Sequence, residues 1–324
     1  MGDSAFPIQY PLPPFTVELA CPDLTPWLDG NTGVRGFTAR HSGRPGAHVG
    51  LLALTHGNEI AGAIALARLL EAGLAPERGR ITFGFVNLAA FARFDPRQPT
   101  ASRFVEEDMN RLWDPAVLDG PRHSNELARA REIRPLLDEI DLLLDLHSML
   151  WPSDPLLLCG SADKGRALAA GIGKPSLIVA DDGHTSGRRI IDYAPFIDPL
   201  NARAANLVEA GQHWEPETVT TTLATIAGLL RHAGLVGRHP ALPPPTERAG
   251  PMRFAEVIRT ITASTGQFSF LQPYRGGDIL PRTNTLIALD GDEEVRTPCA
   301  NCLLVMPSLR PSRGHTAVRL ARLI

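Results

Sequence analysis

The first half of the chain alternates short apolar runs with longer segments of helical apolar spacing. The runs are "HVGLLALT", "RITFGFVNL", "IDLLLDLHS" and "SLIVAD". The segment "EIAGAIALARLLEAG" between the first two repeats apolar side chains at helical intervals and ends at Gly73, a residue that favours helix termination. A second helix is predicted over residues 126–139. This order predicts an α/β fold with a mixed, largely parallel central sheet flanked by helices.

The pattern changes after the proline-rich string "HPALPPPTER". Beyond it, short apolar runs are separated by turn residues, as in "FSFLQPYRGGDIL", "NTLIALDGDEEV" and "CLLVMP", which is typical of a small β-rich domain. We therefore predict four segments along the chain. They are an extended N-terminal lead-in over 1–32, an α/β domain over 33–239, a linker over 240–248 and a β-rich C-terminal domain over 249–324.

Composition narrows the class of protein. The chain has 324 residues, 44% of them hydrophobic, and a formal net charge of −3, so no basic excess suggests a nucleic-acid partner. No apolar run reaches the length of a membrane span and the N-terminus lacks a secretory pattern, which favours a cytoplasmic protein. The "CANC" pair, Cys299 and Cys302, has no second pair to complete a metal site, so packed thiols are the preferred interpretation.

Candidate metal ligands follow two of the apolar runs. His56 and Glu59 come after "VGLLALT", and His147 closes "IDLLLDLH". Functional side chains of open α/β sheets gather beyond the carboxyl ends of the strands. Two imidazoles and a carboxylate favour Zn²⁺ over Mg²⁺ or Ca²⁺, and three protein ligands leave a fourth position for water or substrate. We expect one Zn²⁺ per chain.

Asp145 is an unusual charge inside an otherwise apolar strand. It lies two residues before His147, so both side chains project from the same face of the strand. A carboxylate in that position can fix the tautomer of a ligating imidazole. We therefore predict that Asp145 supports the metal site from behind His147.

Five motifs occur together in one order: "HGNEIAG", "DMNR", "ELARA", "DLHS" and "LVEAGQHW". In this they resemble the succinylglutamate desuccinylase/aspartoacylase family, whose catalytic domain is similar to zinc carboxypeptidases. The resemblance covers roughly residues 33–324 and implies a zinc-dependent catalytic α/β domain over 33–239. It also implies that His56, Glu59 and His147 are the zinc ligands.

The resemblance further implies roles for four other side chains. Asn110 and Arg111 hold the carboxylate end of the substrate, Arg103 polarises the oxyanion, and Glu209 is the general base. The chemistry suits these residue types, because a guanidinium is a fixed planar cation and a carboxylate beside a metal can accept and return a proton.

The acyl side of the substrate is where this chain departs from the family. The aspartoacylases carry a further arginine and a tyrosine there, and the corresponding stretches here read "GHTSGRRIIDYAPF" and "RPSRGHTAVRL". Arg188 or Arg189 is the candidate for the arginine. The tyrosine has no clear counterpart, since His315 lies near its expected place.

The leading interpretation is a zinc-dependent amidohydrolase that cleaves a small N-acyl amino acid or a related N-acylated compound. A carboxypeptidase-like enzyme acting on a small peptide would use the same metal, base and arginine. A non-catalytic homologue that kept only the pocket is the third reading. The sequence leaves open the acyl group, the amino acid and whether the chain forms a homo-oligomer.

Overall fold

The computed structural model describes residues 11–13, 15–183, 186–245 and 250–324. These residues form two compact units. The larger one comprises the described parts of Val17–Ser148 and Pro155–Met252. The smaller one comprises Met149–Asp154, Arg253–Ile324 and the described part of Met1–Thr16. Residues 149–154 thus pack with the smaller unit although the sequence places them inside the predicted α/β domain. The predicted boundaries of the four segments stay a prediction.

The larger unit alternates strands and helices. Its described strands are β1 (Phe37–His41), β2 (His48–Ala53), β3 (Arg80–Phe85), β4 (Leu142–Met149), β5 (Leu156–Leu158), β6 (Leu177–Ala180) and β7 (Ala204–Gln212). Its α-helices are α1 (Ile60–Glu71), α2 (Leu88–Phe91), α3 (Pro115–Leu118), α4 (Asn125–Leu137), α5 (Asp163–Ile172), α6 (Ala194–Ile197) and α7 (Pro216–His232). Short 3₁₀ helices occupy Thr25–Trp27, Met109–Arg111 and Ile190–Asp192. The strands and the two helices read from the apolar pattern are confirmed.

The strands of this unit lie in the order β1, β3, β2, β4, β7, β5, β6. β2 is parallel to both β3 and β4, and β5 is parallel to β6. β1 is antiparallel to β3, and β5 is antiparallel to β7. The predicted fold class, a mixed and largely parallel sheet with flanking helices, is confirmed. Every residue of β2 is buried, which explains its apolar sequence after His48.

Helix α1 follows β2 and is covered on nearly all sides. Most of its side chains are buried, and it contacts both β2 and α7. The chain leaves the helix through Gly73, whose φ of 68° lies in the left-handed region that glycine adopts without strain. The small residues of "IAGAIALA" let the helix approach its neighbours closely, since a Cβ at Gly62 would lie 3.0 Å from the Cβ of Leu146.

The smaller unit is antiparallel throughout its described strands. These are β8 (Arg253–Thr262), β9 (Phe268–Phe270), β10 (Ile279–Leu280), β11 (Leu286–Asp290), β12 (Glu293–Arg296), β13 (Cys302–Val305) and β14 (Thr316–Leu323). Within this unit β8, β14, β13 and β10 are neighbours in that order, and a separate three-stranded sheet has the order β12, β11, β9. This confirms the small β-rich part of the predicted fold class, although its two longest strands, β8 and β14, were not anticipated.

Among the described residues, no helix is both long and apolar enough to cross a membrane.

All four cysteines lie in the described part of the chain and are free thiols. Burial, reinforced by neighbouring Cys299, raises the pKa of Cys302 to about 12, so this thiol is protonated and unreactive near neutral pH.

Candidate metal centre

The chain turns sharply between β2 and the first candidate ligand. Leu54 is fully buried and has a φ of 62°, a conformation that costs a residue with a side chain about 1–3 kcal/mol. The turn is followed directly by Thr55 and His56. Strain of this kind persists only where the surrounding structure holds it, and here it directs His56 to the carboxyl end of the buried strand.

Gly57 allows two segments of the chain to meet beside His56. A Cβ at this position would lie 2.4 Å from backbone atoms of Ala90 and Phe91 and 2.6 Å from the oxygen of Ser102. The amide of Gly57 donates to the oxygen of Arg103 at 3.0 Å. A bare glycine is therefore needed for the segment that carries Arg103 to pack against the segment that carries His56.

Glu59 stands at the centre of the candidate site, at the N-cap position of α1. Its Oε1 lies 2.7 Å from Nδ1 of His56, and its Oε2 lies 3.0 Å from Nδ1 of His147. The amide of Ser148 also donates to Oε2 at 3.0 Å. The three residues are buried, and one potential ligand atom from each lies within 4.8 Å of the others.

The opposite nitrogen of each imidazole faces a different carboxylate. Nε2 of His56 lies 2.9 Å from Oδ1 of Asp108, and Nε2 of His147 lies 2.7 Å from Oδ2 of Asp145. Thr55 in turn donates to Oδ1 of Asp145 at 2.8 Å. A histidine that binds a metal through one ring nitrogen commonly donates the N–H of its other ring nitrogen to a carboxylate. With Nε2 facing a carboxylate, Nδ1 is the nitrogen left to bind a metal. The donor set therefore fits a metal ion, with Nδ1 of His56, Nδ1 of His147 and the carboxylate of Glu59 as its potential ligands.

The charges of the cluster stabilise one another in spite of burial. Burial opposes ionisation of Glu59, yet His56 and His147 bring the pKa of its carboxyl well below the usual value. Burial likewise disfavours the cation of His147, but Asp145 and Glu59 raise its pKa well above the ordinary value. The pKa of Asp108 is lowered in the same way, since His56 and Arg103 outweigh its burial.

Arg103 brings a fixed positive charge to this cluster. Its guanidinium lies 3.3 Å from Oε1 of Glu59 and 3.3 Å from Oδ2 of Asp108. Its side chain is 38% exposed, in contrast to the 3% exposure of Glu59. The arginine is therefore anchored at its charged end while it remains accessible at the rim of the cluster.

Glu209 lies in β7, which neighbours β4 on one side and β5 on the other, and it is the register partner of Leu156 in β5. It lies inside the strand, three residues before the last residue, Gln212. Burial opposes the charge of Arg103, but Asp108 and Glu59 raise the pKa of its guanidinium. The charge of Glu209 adds a smaller contribution in the same direction. The structure thus brings Glu209 into the electrostatic environment of the cluster.

Asn110 and Arg111 belong to the short 3₁₀ helix that follows Asp108. Asp108 caps this helix by accepting from the amide of Asn110 at 2.9 Å. The side-chain oxygen of Asn110 accepts from the amide of Ile190 at 2.9 Å, and the guanidinium of Arg111 donates to the backbone oxygen of Asn110 at 2.6 Å. Asn110 is therefore partly committed to holding the loop that contains Ile190.

The two arginines predicted for the acyl side are placed differently from each other. Arg188 lies near the surface and pairs with Asp114 at 2.9 Å. Arg189 is buried, and its guanidinium makes four hydrogen bonds to Asp181 and Asp192. This arrangement favours a structural role for Arg189, whereas a substrate contact of Arg188 stays a prediction. His315 lies in the smaller unit, directly before β14.

Three residues near the cluster were not assigned a role from sequence. Asp108 belongs to the motif "DMNR". It could have been identified from sequence, because a metal-binding histidine commonly donates its second ring N–H to a carboxylate. Ser148 and His213 face each other, with Oγ of Ser148 2.7 Å from Nδ1 of His213. Burial lowers the pKa of His213 to about 4, so its imidazole is neutral. No spacing in the sequence connects these two residues, which are 65 positions apart.

Residues 45–167 match the family model described as the succinylglutamate desuccinylase/aspartoacylase catalytic domain. The matched segment contains His56, Glu59 and His147. A search of curated protein sequences finds no significant match to the chain.

Several solved structures share the fold at low sequence identity. The chain is similar to a succinylglutamate desuccinylase from Vibrio cholerae, with 20% identity, a TM-score of 0.63 and coverage of 89% of this chain and 85% of the other. It is also similar to a succinylglutamate desuccinylase/aspartoacylase from Rhodobacter sphaeroides, with 19% identity, a TM-score of 0.65 and 88% coverage of each chain. A third similar structure is the product-bound ectoine utilization protein EutE (DoeB) from Ruegeria pomeroyi, with 17% identity, a TM-score of 0.62 and 88% coverage of each chain. The resemblance indicated by the sequence motifs is therefore confirmed for residues 45–167, which match the model of the succinylglutamate desuccinylase/aspartoacylase catalytic domain, and solved structures that carry these names share the fold.

Proposed function

We propose that the protein is a zinc-dependent amidohydrolase that releases the amino acid and the carboxylate from a small N-acyl amino acid. The observation that carries the proposal is the orientation of the two histidines. Both Nδ1 atoms face Glu59, and each Nε2 atom lies within hydrogen-bond distance of a carboxylate, with the guanidinium of Arg103 also 2.9 Å from Nε2 of His56. His56, Glu59 and His147 would hold the metal. A zinc ion with three protein ligands lowers the pKa of water to about 7 and polarises a carbonyl group.

Glu209 supplies the proton transfers that amide hydrolysis requires. Its carboxylate takes a proton from the attacking water and delivers it to the amide nitrogen as the C–N bond breaks, because an amine leaves poorly as an anion. The products are a carboxylate and a free amine. The position of Glu209 in β7 beside β4, within the field of Arg103, supports this role.

Arg103 stabilises the negative charge that develops on the carbonyl oxygen. Its guanidinium is held in place by Glu59 and Asp108, so little reorganisation is needed when the charge appears. Its partial exposure at the rim leaves room for a substrate to approach.

The amino-acid end of the substrate is bound by the 3₁₀ helix after Asp108. The planar guanidinium of Arg111 can form a bidentate pair with a carboxylate, and the side-chain nitrogen of Asn110 is a further donor. The hydrogen bond from Ile190 commits the side-chain oxygen of Asn110 to the backbone, so the side-chain nitrogen is the group of Asn110 that would donate to a substrate.

The proposal is tested by metal analysis together with a product assay. Purified protein is expected to hold about one zinc per chain, and His147→Ala is expected to lose zinc and activity together. His123→Ala, at an exposed histidine, is the control and is expected to keep both. A His147→Ala protein with full zinc occupancy would exclude His147 as a ligand.

The product assay compares N-acetyl and N-succinyl amino acids with short peptides. Release of a free amino acid from the N-acyl compounds is expected, and a preference for peptides would instead identify a carboxypeptidase-like enzyme. Zinc binding without turnover of either class would indicate a non-catalytic homologue.

A further inference from the structure

Glu126 is a fully buried carboxylate in the first turn of α4. Its oxygens accept from the backbone amides of Val105, Glu106 and Glu107, at 2.6, 3.1 and 3.3 Å. The side-chain nitrogen of Asn87 is a fourth donor, at 3.1 Å. Successive backbone amides that converge in this way form an anion-binding concavity, and here the anion is a side chain of the protein itself.

The residues held by Glu126 join two residues of the metal centre. Val105, Glu106 and Glu107 lie between Arg103, which contacts Glu59, and Asp108, which contacts Nε2 of His56. The segment has no regular secondary structure that would fix its path. The carboxylate therefore supplies the hydrogen bonds that a strand or helix would otherwise provide.

Asn87 connects the same carboxylate to the end of β2. Its backbone amide donates to the oxygen of Leu54 at 2.9 Å, at the strained turn that leads to His56. Its side-chain oxygen caps α2 by accepting from Ala90 at 3.1 Å. Glu126 thus joins the segment that carries Asp108 to the turn that carries the first histidine.

We infer that Glu126 is a positioning residue for the metal centre. It acts through the 105–107 segment, which sets the distance between Asp108 and His56 and between Arg103 and Glu59. This inference rests on the proposed metal site. Glu126→Gln retains the shape of the side chain but replaces an acceptor oxygen by an N–H₂ group, which opposes the backbone N–H donors. We expect zinc affinity to fall by about 10-fold, at the lower end of the effect of losing a residue that supports a metal ligand.

The test measures zinc dissociation constants by chelator competition for the wild type, Glu126→Gln and Glu107→Gln. Glu107 is the matched control, because it lies in the same segment and its carboxylate pairs only with the exposed Arg122 among the described contacts. Glu107→Gln is expected to bind zinc as the wild type does. The absorption spectrum of the Co²⁺-loaded protein is expected to change in Glu126→Gln and not in Glu107→Gln.

A double variant separates positioning from a general loss of stability. If Glu126 acts through Asp108, the loss of zinc affinity in Glu126→Gln/Asp108→Asn is expected to be smaller than the combined losses of the single variants. A Glu126→Gln protein that melts earlier but binds zinc like Glu107→Gln would overturn the inference, and so would fully additive losses.

Absence of zinc binding in the wild type would instead overturn the proposed function, and the inference with it. Should Glu126→Gln not fold, Glu126→Asp carries the same measurements, because it keeps the carboxylate but shortens its reach by one methylene.

Discussion

Nε2 of His56 lies 2.9 Å from Asp108, while Nδ1 of the same ring lies 2.7 Å from Glu59. The imidazole is therefore held between two carboxylates, one within the ligand cluster and one behind it. His147 repeats the arrangement with Asp145. Because a carboxylate contacts each ring on the side opposite Glu59, the two Nδ1 atoms are directed toward the same carboxylate.

The first prediction concerns these supporting carboxylates. Asp108→Asn and Asp145→Asn are each expected to weaken zinc affinity by about 10–100-fold. A neutral amide oxygen accepts a weaker hydrogen bond from the histidine than the charged carboxylate does. Chelator competition measures the effect. Asp163→Asn, at an exposed aspartate, is the control. An Asp108→Asn protein with the zinc affinity of the wild type would show that Asp108 does not support His56.

The candidate metal ligands could be predicted from the sequence because each lies in or directly after a strand that the apolar pattern predicts. His56 and Glu59 follow a buried strand, and Asp145 shares a strand face with His147 by the two-residue period. Parallel pairing of β2 and β4 then brings the two strand ends together. Periodicity and pairing of adjacent strands are properties that an apolar pattern expresses directly.

Contacts made by segments without regular secondary structure could not be predicted from the sequence pattern. Asp108 reaches His56 across 52 positions, through a segment whose path is fixed by the buried carboxylate of Glu126. Arg189 could be read as a substrate ligand because nothing in its neighbourhood in sequence shows that Asp181 folds back onto it. Side-chain hydrogen bonds determine these paths, and they leave no periodic signal.

The second prediction contrasts two adjacent arginines. Arg189→Leu is expected to lower the free energy of unfolding by about 3–5 kcal/mol, because it leaves the carboxylates of Asp181 and Asp192 buried without their cation. Arg188→Ala is expected to cost at most about 1 kcal/mol, since its pair with Asp114 is partly exposed to solvent. Urea denaturation measures both. Equal losses in the two variants would contradict the structural assignment of Arg189.

The third prediction is a pH dependence of stability from His213. Its pKa of about 4 in the folded chain lies below the ordinary 6.5, so the unfolded chain binds more protons between these values. The contribution of neutral His213 is complete above pH 6.5 and is lost as the pH falls toward 4. By pH 5 the loss is about 2 kcal/mol, at 1.36 kcal/mol per pKa unit.

The measurement for His213 compares unfolding free energies of the metal-free wild type and His213→Gln at pH 7 and pH 5. Glutamine retains a hydrogen-bonding group near Ser148 but does not titrate. The wild type is expected to lose more stability than the variant between these two pH values. Parallel losses would show that His213 is not the group responsible.

The fourth prediction concerns the charge of the substrate. If Arg111 and Asn110 bind the α-carboxylate, an amidated or esterified N-acyl amino acid is expected to be a far poorer substrate than the free acid, because the guanidinium loses its ionic partner. Steady-state kinetics on matched acid and amide pairs measure this difference. Arg111→Lys is expected to reduce the preference for the free acid, since a lysine cannot form the bidentate pair. Equal kcat/KM values for acid and amide in the wild type would exclude this role.

The fifth prediction tests the general base. Glu209→Gln is expected to leave zinc content and melting temperature close to those of the wild type while kcat falls by about 10²–10⁴-fold, the usual contribution of general acid–base catalysis. Glu217→Gln, at an exposed carboxylate in the first turn of α7, is the control.

Asp145 is the competing carboxylate, and the same pair of measurements distinguishes it from Glu209. Its hydrogen bonds from Thr55 and His147 commit both of its oxygens, so it is suited to orient a ligand rather than to exchange protons with a substrate. Asp145→Asn is therefore expected to lose zinc affinity, whereas Glu209→Gln is expected to lose turnover at full zinc occupancy. If Glu209→Gln kept a normal kcat while Asp145→Asn abolished turnover without loss of zinc, Asp145 would be the base and Glu209 would have no part in the proton transfer.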